Sequence, residues 1–328
     1  GSTIYGAGVT YYVATSNVTL TAQWSPKTNT VIYDWNGGSG SSTSNSSYTV
    51  ENAALTLPAV GNHVKDGYTF AGWAESGTVY SAGSTYTMPA RNITFIAQWS
   101  GLVYTITYAT TGATSGTPTR SSDSFTYGGS AISLPTAGSM VKAGYSFEGW
   151  AETSTVISGS YSATANVTLA PVWAATTQTF TFNINGASGT TPATANYTTG
   201  GSSVSAPNVG DLVKSGFTFG GWSDGSTTYA AGSPITGTSD KTLTAIWTPT
   251  TFAINYAAGT ATDPVGLPTN GAAAYGSSFV LGEPETKTAI IGGQNYAFAG
   301  WSEGTNVYQK GQSVVMGASA PTFTAQWA

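Results

Sequence analysis

The stretch Gly67-Tyr68-Thr69-Phe70-Ala71-Gly72-Trp73 returns as Gly144-Tyr145-Ser146-Phe147-Glu148-Gly149-Trp150 and as Gly216-Phe217-Thr218-Phe219-Gly220-Gly221-Trp222. It comes a fourth time, more loosely, as Asn295-Tyr296-Ala297-Phe298-Ala299-Gly300-Trp301. A second motif closes each unit: Leu20-Thr21-Ala22-Gln23-Trp24, Phe95-Ile96-Ala97-Gln98-Trp99, Leu169-Ala170-Pro171-Val172-Trp173, Leu243-Thr244-Ala245-Ile246-Trp247 and Phe323-Thr324-Ala325-Gln326-Trp327. The closing tryptophans stand 75, 74, 74 and 80 residues apart, and nine of the ten tryptophans fall on the two motifs, leaving only Trp35 outside. Self-similarity at a fixed period marks a repeat architecture. The chain is a tandem repeat.

Working outward, an aromatic lies nine residues after each closing tryptophan (Tyr33, Tyr108, Phe182, Tyr256), with an apolar partner two residues before it (Val31, Ile106, Phe180, Ile254). In three units a proline, a glycine and a Val-Lys pair precede the Gly-aromatic motif at equal offsets: Pro58, Gly61 and Val64-Lys65; Pro135, Gly138 and Val141-Lys142; Pro207, Gly210 and Val213-Lys214. The fourth unit keeps Pro284 but loses that lysine, as a divergent terminal repeat often does. The units are therefore placed at 26–99, 100–173, 174–247 and 248–328, after a partial unit at 1–25. Ile4-Tyr5-Gly6-Ala7-Gly8 matches Val79-Tyr80-Ser81-Ala82-Gly83, and both tyrosines stand 19 residues before their closing tryptophan. Either the chain is an excised piece whose boundary cuts a repeat, or residues 3–25 lend strands to the first complete unit. Gly1-Ser2 reads as a cloning remnant.

Strict alternation argues for strands. Val18, Leu20, Ala22 and Trp24 point one way in the first closing segment, and Ile93, Phe95, Ala97 and Trp99 do so in the second. Val31, Tyr33 and Trp35 alternate likewise. Tyr68, Phe70 and Gly72 share a parity that Trp73 breaks, so a β-bulge at the glycine is expected to return the indole to the core. The best helix candidate is short, near Asn52-Ala53-Ala54-Leu55. The fold expected is mainly β. A unit of this size is marginal without staples, and the buried aromatics, each worth about 1.5–3 kcal/mol, are the expected remedy. Linkers of about five residues, such as Ser25-Pro26-Lys27-Thr28-Asn29 and Thr248-Pro249-Thr250-Thr251, should restrict motion between units.

The motif Gly-(Tyr/Phe)-x-Phe-x-Gly-Trp, followed about 25 residues later by Leu/Phe-x-Ala-Gln-Trp, resembles the Listeria–Bacteroides repeat family, which includes the B-repeat of the internalins. The resemblance spans essentially the whole chain. It implies small β-grasp-like (ubiquitin-like) domains with little helix, arranged as an elongated string in a bacterial cell-surface protein. It further implies a stalk or spacer role, with host or environmental glycan or protein partners. This chain departs from the commoner pattern in replacing an acidic, lysine-rich surface with Ser, Thr, Gly and Asn.

Composition narrows the chemistry. The 328-residue chain has 9 Lys+Arg, 14 Asp+Glu, one histidine, no cysteine and 42 glycines, and only 7% of it is charged, against roughly 25% ordinarily. A net charge of −5 with so few cations offers no phosphate-neutralising face for nucleic acid. The missing cysteine removes disulfides, thiol catalysis and cysteine-based zinc sites. The longest apolar runs, such as Ala289-Ile290-Ile291, fall far short of the ~20 residues of a membrane span.

Four acids follow the motif tryptophans by two residues: Glu75, Glu152, Asp224 and Glu303. Calcium wants six to eight oxygens, and only Asp66 lies near Glu75 in sequence. The plainer expectation is a solvated residue, an Asx-type turn, or a partner for Lys65, Lys142 and Lys214. Those lysines, with a nearby asparagine and acid, also raise a Lys–Asn isopeptide cross-link as a minor alternative. His63 occupies a position read as Met140 and Leu212 in the next units, which points to an apolar slot. The serines lack a base and a G-x-S-x-G elbow. No catalytic, metal or cofactor residue is assigned, and no enzyme is expected. Trp35 is the best candidate for a glycan platform, because its repeat equivalents Thr110, Ile184 and Ala258 are not aromatic. A single extra core or surface aromatic is the plainer reading of it. The sequons at Asn17, Asn92 and Asn166 occupy one repeat position, where strand-entry chemistry is expected. The function expected is a non-catalytic, monomeric, extracellular spacer of a bacterial surface protein or adhesin. The alternative is a multivalent glycan- or protein-binding module.

Overall fold

The alternation in the opening and closing segments produces strands that bury one face each. A computed structural model of the chain describes residues 3–13, 15–41, 45–48, 54–263 and 265–328. In the first repeat, β1 (Asn29–Asp34) buries Val31 and Tyr33 and turns Ile32 and Asp34 outward. It is followed by β2 (Ser46–Tyr48), β3 (Ala54–Thr56), β4 (Tyr68–Glu75), β5 (Thr78–Tyr80), β6 (Thr85–Thr87) and β7 (Ile93–Gly101). Five of these form one mixed sheet in the order β2-β1-β7-β4-β5, in which only the β1–β7 pair is parallel. The remaining two, β3 and β6, make an antiparallel ribbon that pairs Leu55 with Tyr86. Leu55 on the ribbon, Leu57 and Met88 join Val31, Trp73, Phe95 and Ala97 in one core.

The bulge falls where the broken parity requires it. The β4–β7 register shifts between Phe70 and Gly72, and Gly72 takes φ 133°. Trp73 is thereby returned to the core face and is fully buried. Register shifts between Phe219 and Gly221 and between Phe298 and Gly300 do the same for Trp222 and Trp301. A methyl on Gly72 would overlap the carbonyl of Tyr80, so the position needs both the conformational freedom of glycine and its lack of a side chain.

The same plan recurs. In the second repeat β8 (Val103–Tyr108) and β9 (Ser122–Thr126) form the edge of a sheet ordered Tyr145–Ala151, Val167–Ala175, β8, β9. The third repeat orders its sheet as Ala195–Thr198, Thr177–Asn183, Lys241–Pro249, Phe217–Ser223, Thr228–Tyr229. The fourth adds a strand, Thr288–Ile291, that pairs with the start of Gln294–Glu303. Each repeat has its own two-stranded ribbon. The aromatic cores of the first, third and fourth repeats contain residues of one repeat only.

The expected mainly β class holds, with three corrections of detail. The short helix expected near 52–55 is not formed at Ala54 and Leu55, which belong to β3, where ribbon pairing buries Leu55; Asn52 and Ala53 lie outside the described residues. The β3–β6 ribbon packs on the sheet of the first repeat, and no helix among the described residues is long and apolar enough to cross a membrane. Residues 18–24 are not a strand, and Trp24 is 91% exposed. In every complete repeat the closing strand is held between the opening strand and the Gly-aromatic strand of its own unit. The described residues before Asn29 lend no strand to the first repeat.

The third correction concerns the linkers between complete repeats, whereas residues 25–28, before β1, carry no strand, as expected. β7 continues to Gly101, paired with Tyr68, and β8 starts at Val103, so a single residue, Leu102, joins two repeats. Thr176 and Thr250 occupy the same place between Val167–Ala175 and Thr177–Asn183 and between Lys241–Pro249 and Thr251–Ala257. The sequence made these look like five-residue loops because they are rich in Ser, Thr, Gly and Pro. Pairing with the long Gly-aromatic strand nonetheless extends them, and Pro249 is tolerated as the last residue of its strand.

Candidate functional site

The four acids after the motif tryptophans stand at or just past the ends of strands, where turns bring donors to them. Glu75 is buried and accepts from Ser76 Oγ (2.7 Å), Tyr86 OH (3.2 Å) and Arg91 (2.7 Å). The Arg91 hydrogen bond holds its carboxyl below the ordinary range against the opposing effect of burial. Asp224 accepts from Lys241 Nζ (2.6 Å), Tyr229 OH (3.2 Å) and the main-chain N–H groups of Ser226 and Thr227 (3.0 and 2.8 Å), and its carboxyl is lowered chiefly by Lys241. Glu152 accepts from Tyr161 OH (3.1 Å) and Glu303 from Tyr308 OH (3.2 Å). The Asx-type turn expected at these positions is present at Asp224.

The expected partnership with Lys65, Lys142 and Lys214 is not formed; Arg91 and Lys241 serve Glu75 and Asp224 instead. Lys65 precedes β4 while Glu75 ends it, some seven strand rises of roughly 3.3 Å away. The tyrosine common to all four acids was missed, because it lies 13, 11, 7 and 7 residues after the motif tryptophan and so shows no fixed spacing. Glu75 and Asp224, whose carboxyls Arg91 and Lys241 lower, are held ionised and have no proton to give, the opposite of a general acid. Among the described residues no three acidic or histidine side chains gather where a metal ion could be held.

The lysines belong to a different turn. Asn36 takes φ 48°, its main-chain N–H donates to Asp34 Oδ1 (2.8 Å) and its Nδ2 donates to Ala97 O (3.1 Å). Lys65 Nζ donates to Asn36 O (2.9 Å) and lies 5.1 Å from the centre of the Tyr68 ring. The third repeat reproduces this with Asn183, Asn185, Lys214 and Phe217. A Lys–Asn cross-link needs the amine against the side-chain amide carbon. Here the amine meets a main-chain carbonyl and the amide is turned toward another strand.

Trp35 is half-buried. His63 stacks on it with centroids 3.5 Å apart, and Trp73 meets it edge-on at 4.6 Å. His63 is buried, as its repeat equivalents Met140 and Leu212 implied; its Nδ1 lies 3.0 Å from Val60 O. The indole weighed as a candidate glycan platform has one face covered by imidazole, and its packing on His63 and Trp73 fits the plainer reading of an extra core aromatic. The sequon position also has a structural use. Asn92 Oδ1 accepts from Thr30 N (2.8 Å) and Asn166 Oδ1 from Thr105 N (2.8 Å), and Asp240 Oδ1 does the same for Thr179 N (2.7 Å). Each closes the first rung of the parallel strand pair, the strand-entry chemistry expected there.

The remaining invariants of the repeat are hydrogen-bonding pegs. Trp73, Trp150 and Trp222 each donate Nε1 to the carbonyl of the proline 15 residues earlier, at 2.8, 2.7 and 2.8 Å. In the fourth repeat the acceptor for Trp301 is Gly282 rather than Pro284. Three stretches, 30–98, 104–171 and 179–246, match the Listeria-Bacteroides repeat domain. The chain belongs to that family. The Listeria-Bacteroides repeats cover well over half of the sequence, and the fourth unit repeats their sheet order. Two curated relatives come from Evansella cellulosilytica. A protein named as a Gly-rich membrane protein is 28% identical over 65% of this chain and 24% of its own length. A protein named as a membrane protein is 27% identical over 95% of this chain and 45% of its own length. The chain thus spans less than half of either relative.

Proposed function

We propose that these Listeria-Bacteroides repeats form a non-catalytic spacer in a bacterial cell-envelope protein, exposed outside the cell. The observation that carries this reading is the pinned one-residue junction between repeats. A junction of one residue, hydrogen-bonded to the repeat on either side, leaves little slack between adjoining repeats. Two further observations support it. Glu75 and Asp224 are taken up by Arg91 and Lys241 and by neighbouring hydroxyl and main-chain groups, which fits a role in stabilising turns. The relatives are longer and are named as membrane proteins, which fits an envelope location.

Small-angle scattering on the full chain tests the reading. A 75-residue unit is roughly 30 Å across, so four in line give a maximum dimension on the order of 110–120 Å. A compact particle near half that length would defeat it. The alternative of a multivalent glycan-binding module is weakened at Trp35, one face of which is taken by His63 while Trp73 packs against the same ring.

A further inference from the structure

The three junctions share a main-chain frame and differ in side chains. Leu102 N donates to Gly67 O and Leu102 O accepts from Tyr127 N, both at 2.8 Å. Thr176 makes the same pair with Gly144 O (2.8 Å) and Thr199 N (3.1 Å), and Thr250 with Gly216 O and Tyr275 N (2.8 Å each). The acceptor glycines all take φ 79°. A methyl on any of them would overlap the side chain arriving from the next repeat, which is Tyr127, Thr199 or Tyr275. In the fourth repeat the corresponding residue is Asn295, without the left-handed backbone, and an extra strand pairs there instead.

What arrives over the glycine is not equal in the three places. Tyr127 stands edge-on to Tyr68 at 5.3 Å and 88°, with Tyr104 behind it at 6.4 Å. Tyr275 meets Phe217 at 5.2 Å and 71°. The middle junction has Thr199 over Gly144 beside Tyr145, and its Oγ1 is buried without a hydrogen-bond partner. Gln178 holds the position of Tyr104 there. An edge-to-face ring pair adds attraction beyond area, and an orphaned buried hydroxyl subtracts from the closed state. Both differences push the same way.

We propose that the chain is articulated at Thr176. An aromatic ring over a glycine clasps the first repeat to the second and the third to the fourth, and the middle junction, which lacks the ring, opens first.

The junction amides report opening directly, because the N–H groups of Leu102, Thr176 and Thr250 are the donors of the frame. Amide exchange measured by NMR on the full chain, corrected for intrinsic rates, is expected to be fastest at Thr176. Thr199→Tyr should slow Thr176 by about 2- to 13-fold, the equilibrium equivalent of one ring pair. Tyr127→Thr should accelerate Leu102 by a similar factor and leave Thr250 unchanged, while the indole N–H signals of Trp73, Trp150 and Trp222 report that the repeats stay folded. Equal protection at the three junctions overturns the proposal. So does a Leu102 amide unmoved by Tyr127→Thr, a variant that carries the test alone if Thr199→Tyr misfolds.

Discussion

At the scale of single residues, the repeat is organised by a buried indole and the glycine before it. Trp73 is fully buried, meets Tyr33 edge-on at 5.0 Å and donates to Pro58 O. Trp73→Ala removes all of this and leaves a cavity in a core with little else to collapse into it. A loss of about 3–5 kcal/mol is expected, enough to unfold the first repeat, and its denaturant midpoint measures it. Gly72→Ala should fail for a different reason, because its methyl has no room beside Tyr80 O and φ 133° is strained for any side chain. The acids make a pH prediction. Arg91 lowers the Glu75 carboxyl below its ordinary 4.5 in the folded state. The stability this contributes is complete above that value and is lost as pH falls through the lowered one. Glu75→Gln should therefore flatten the acid limb of the first repeat's melting-temperature profile. An acid limb identical to that of the wild type would show that the pair contributes nothing.

At the scale of elements, the parallel β1–β7 pair needs an acceptor for the N–H that precedes its first rung, and Asn92 supplies it. Asn92→Ala leaves Thr30 N to water at the sheet end, so a loss of about 0.5–1.5 kcal/mol is expected; Asn92→Asp should be tolerated, since Asp240 does the same work in the third repeat. Thermal melts of the two variants separate these outcomes. This scale also shows what could be read without the structure. The bulge was legible because Trp73 breaks the parity set by Tyr68 and Phe70, a purely local conflict. The strands at 31–35 and 93–99 were legible because one face is buried. The linkers were misread because Ser100, Gly101 and Pro249 have poor strand propensity. They become strand through pairing with Tyr68 and Phe217, which lie more than thirty residues away in sequence. Residues 18–24 show the reverse case, a good strand pattern that forms no strand, because alternation alone does not supply the pairing that makes one. The acid–tyrosine contacts stayed hidden because the intervening loops differ in length between repeats.

At the scale of the molecule, local cores and shared junctions make opposing demands on cooperativity. The aromatic clusters around Trp73, Trp222 and Trp301 contain no residue from another repeat. Stability in such an array is a sum of repeat terms and nearest-neighbour interface terms. Trp73→Ala should then remove the Trp73 and Trp99 indole N–H signals while those of Trp222, Trp247, Trp301 and Trp327 keep their native positions. Paired with Trp301→Ala, its free-energy cost should add within about 0.5 kcal/mol, as for distant sites with no shared partners. A single transition that carries every indole signal at once would mean that the junctions couple the array into one cooperative unit. Because the one-residue linkers are themselves hydrogen-bonded to both neighbours, a small coupling confined to adjacent repeats is the expected residue of that effect. It should appear as an earlier loss of the Tyr127 and Tyr104 contacts in the second repeat once the first has unfolded, since Tyr68 no longer holds the ring in place.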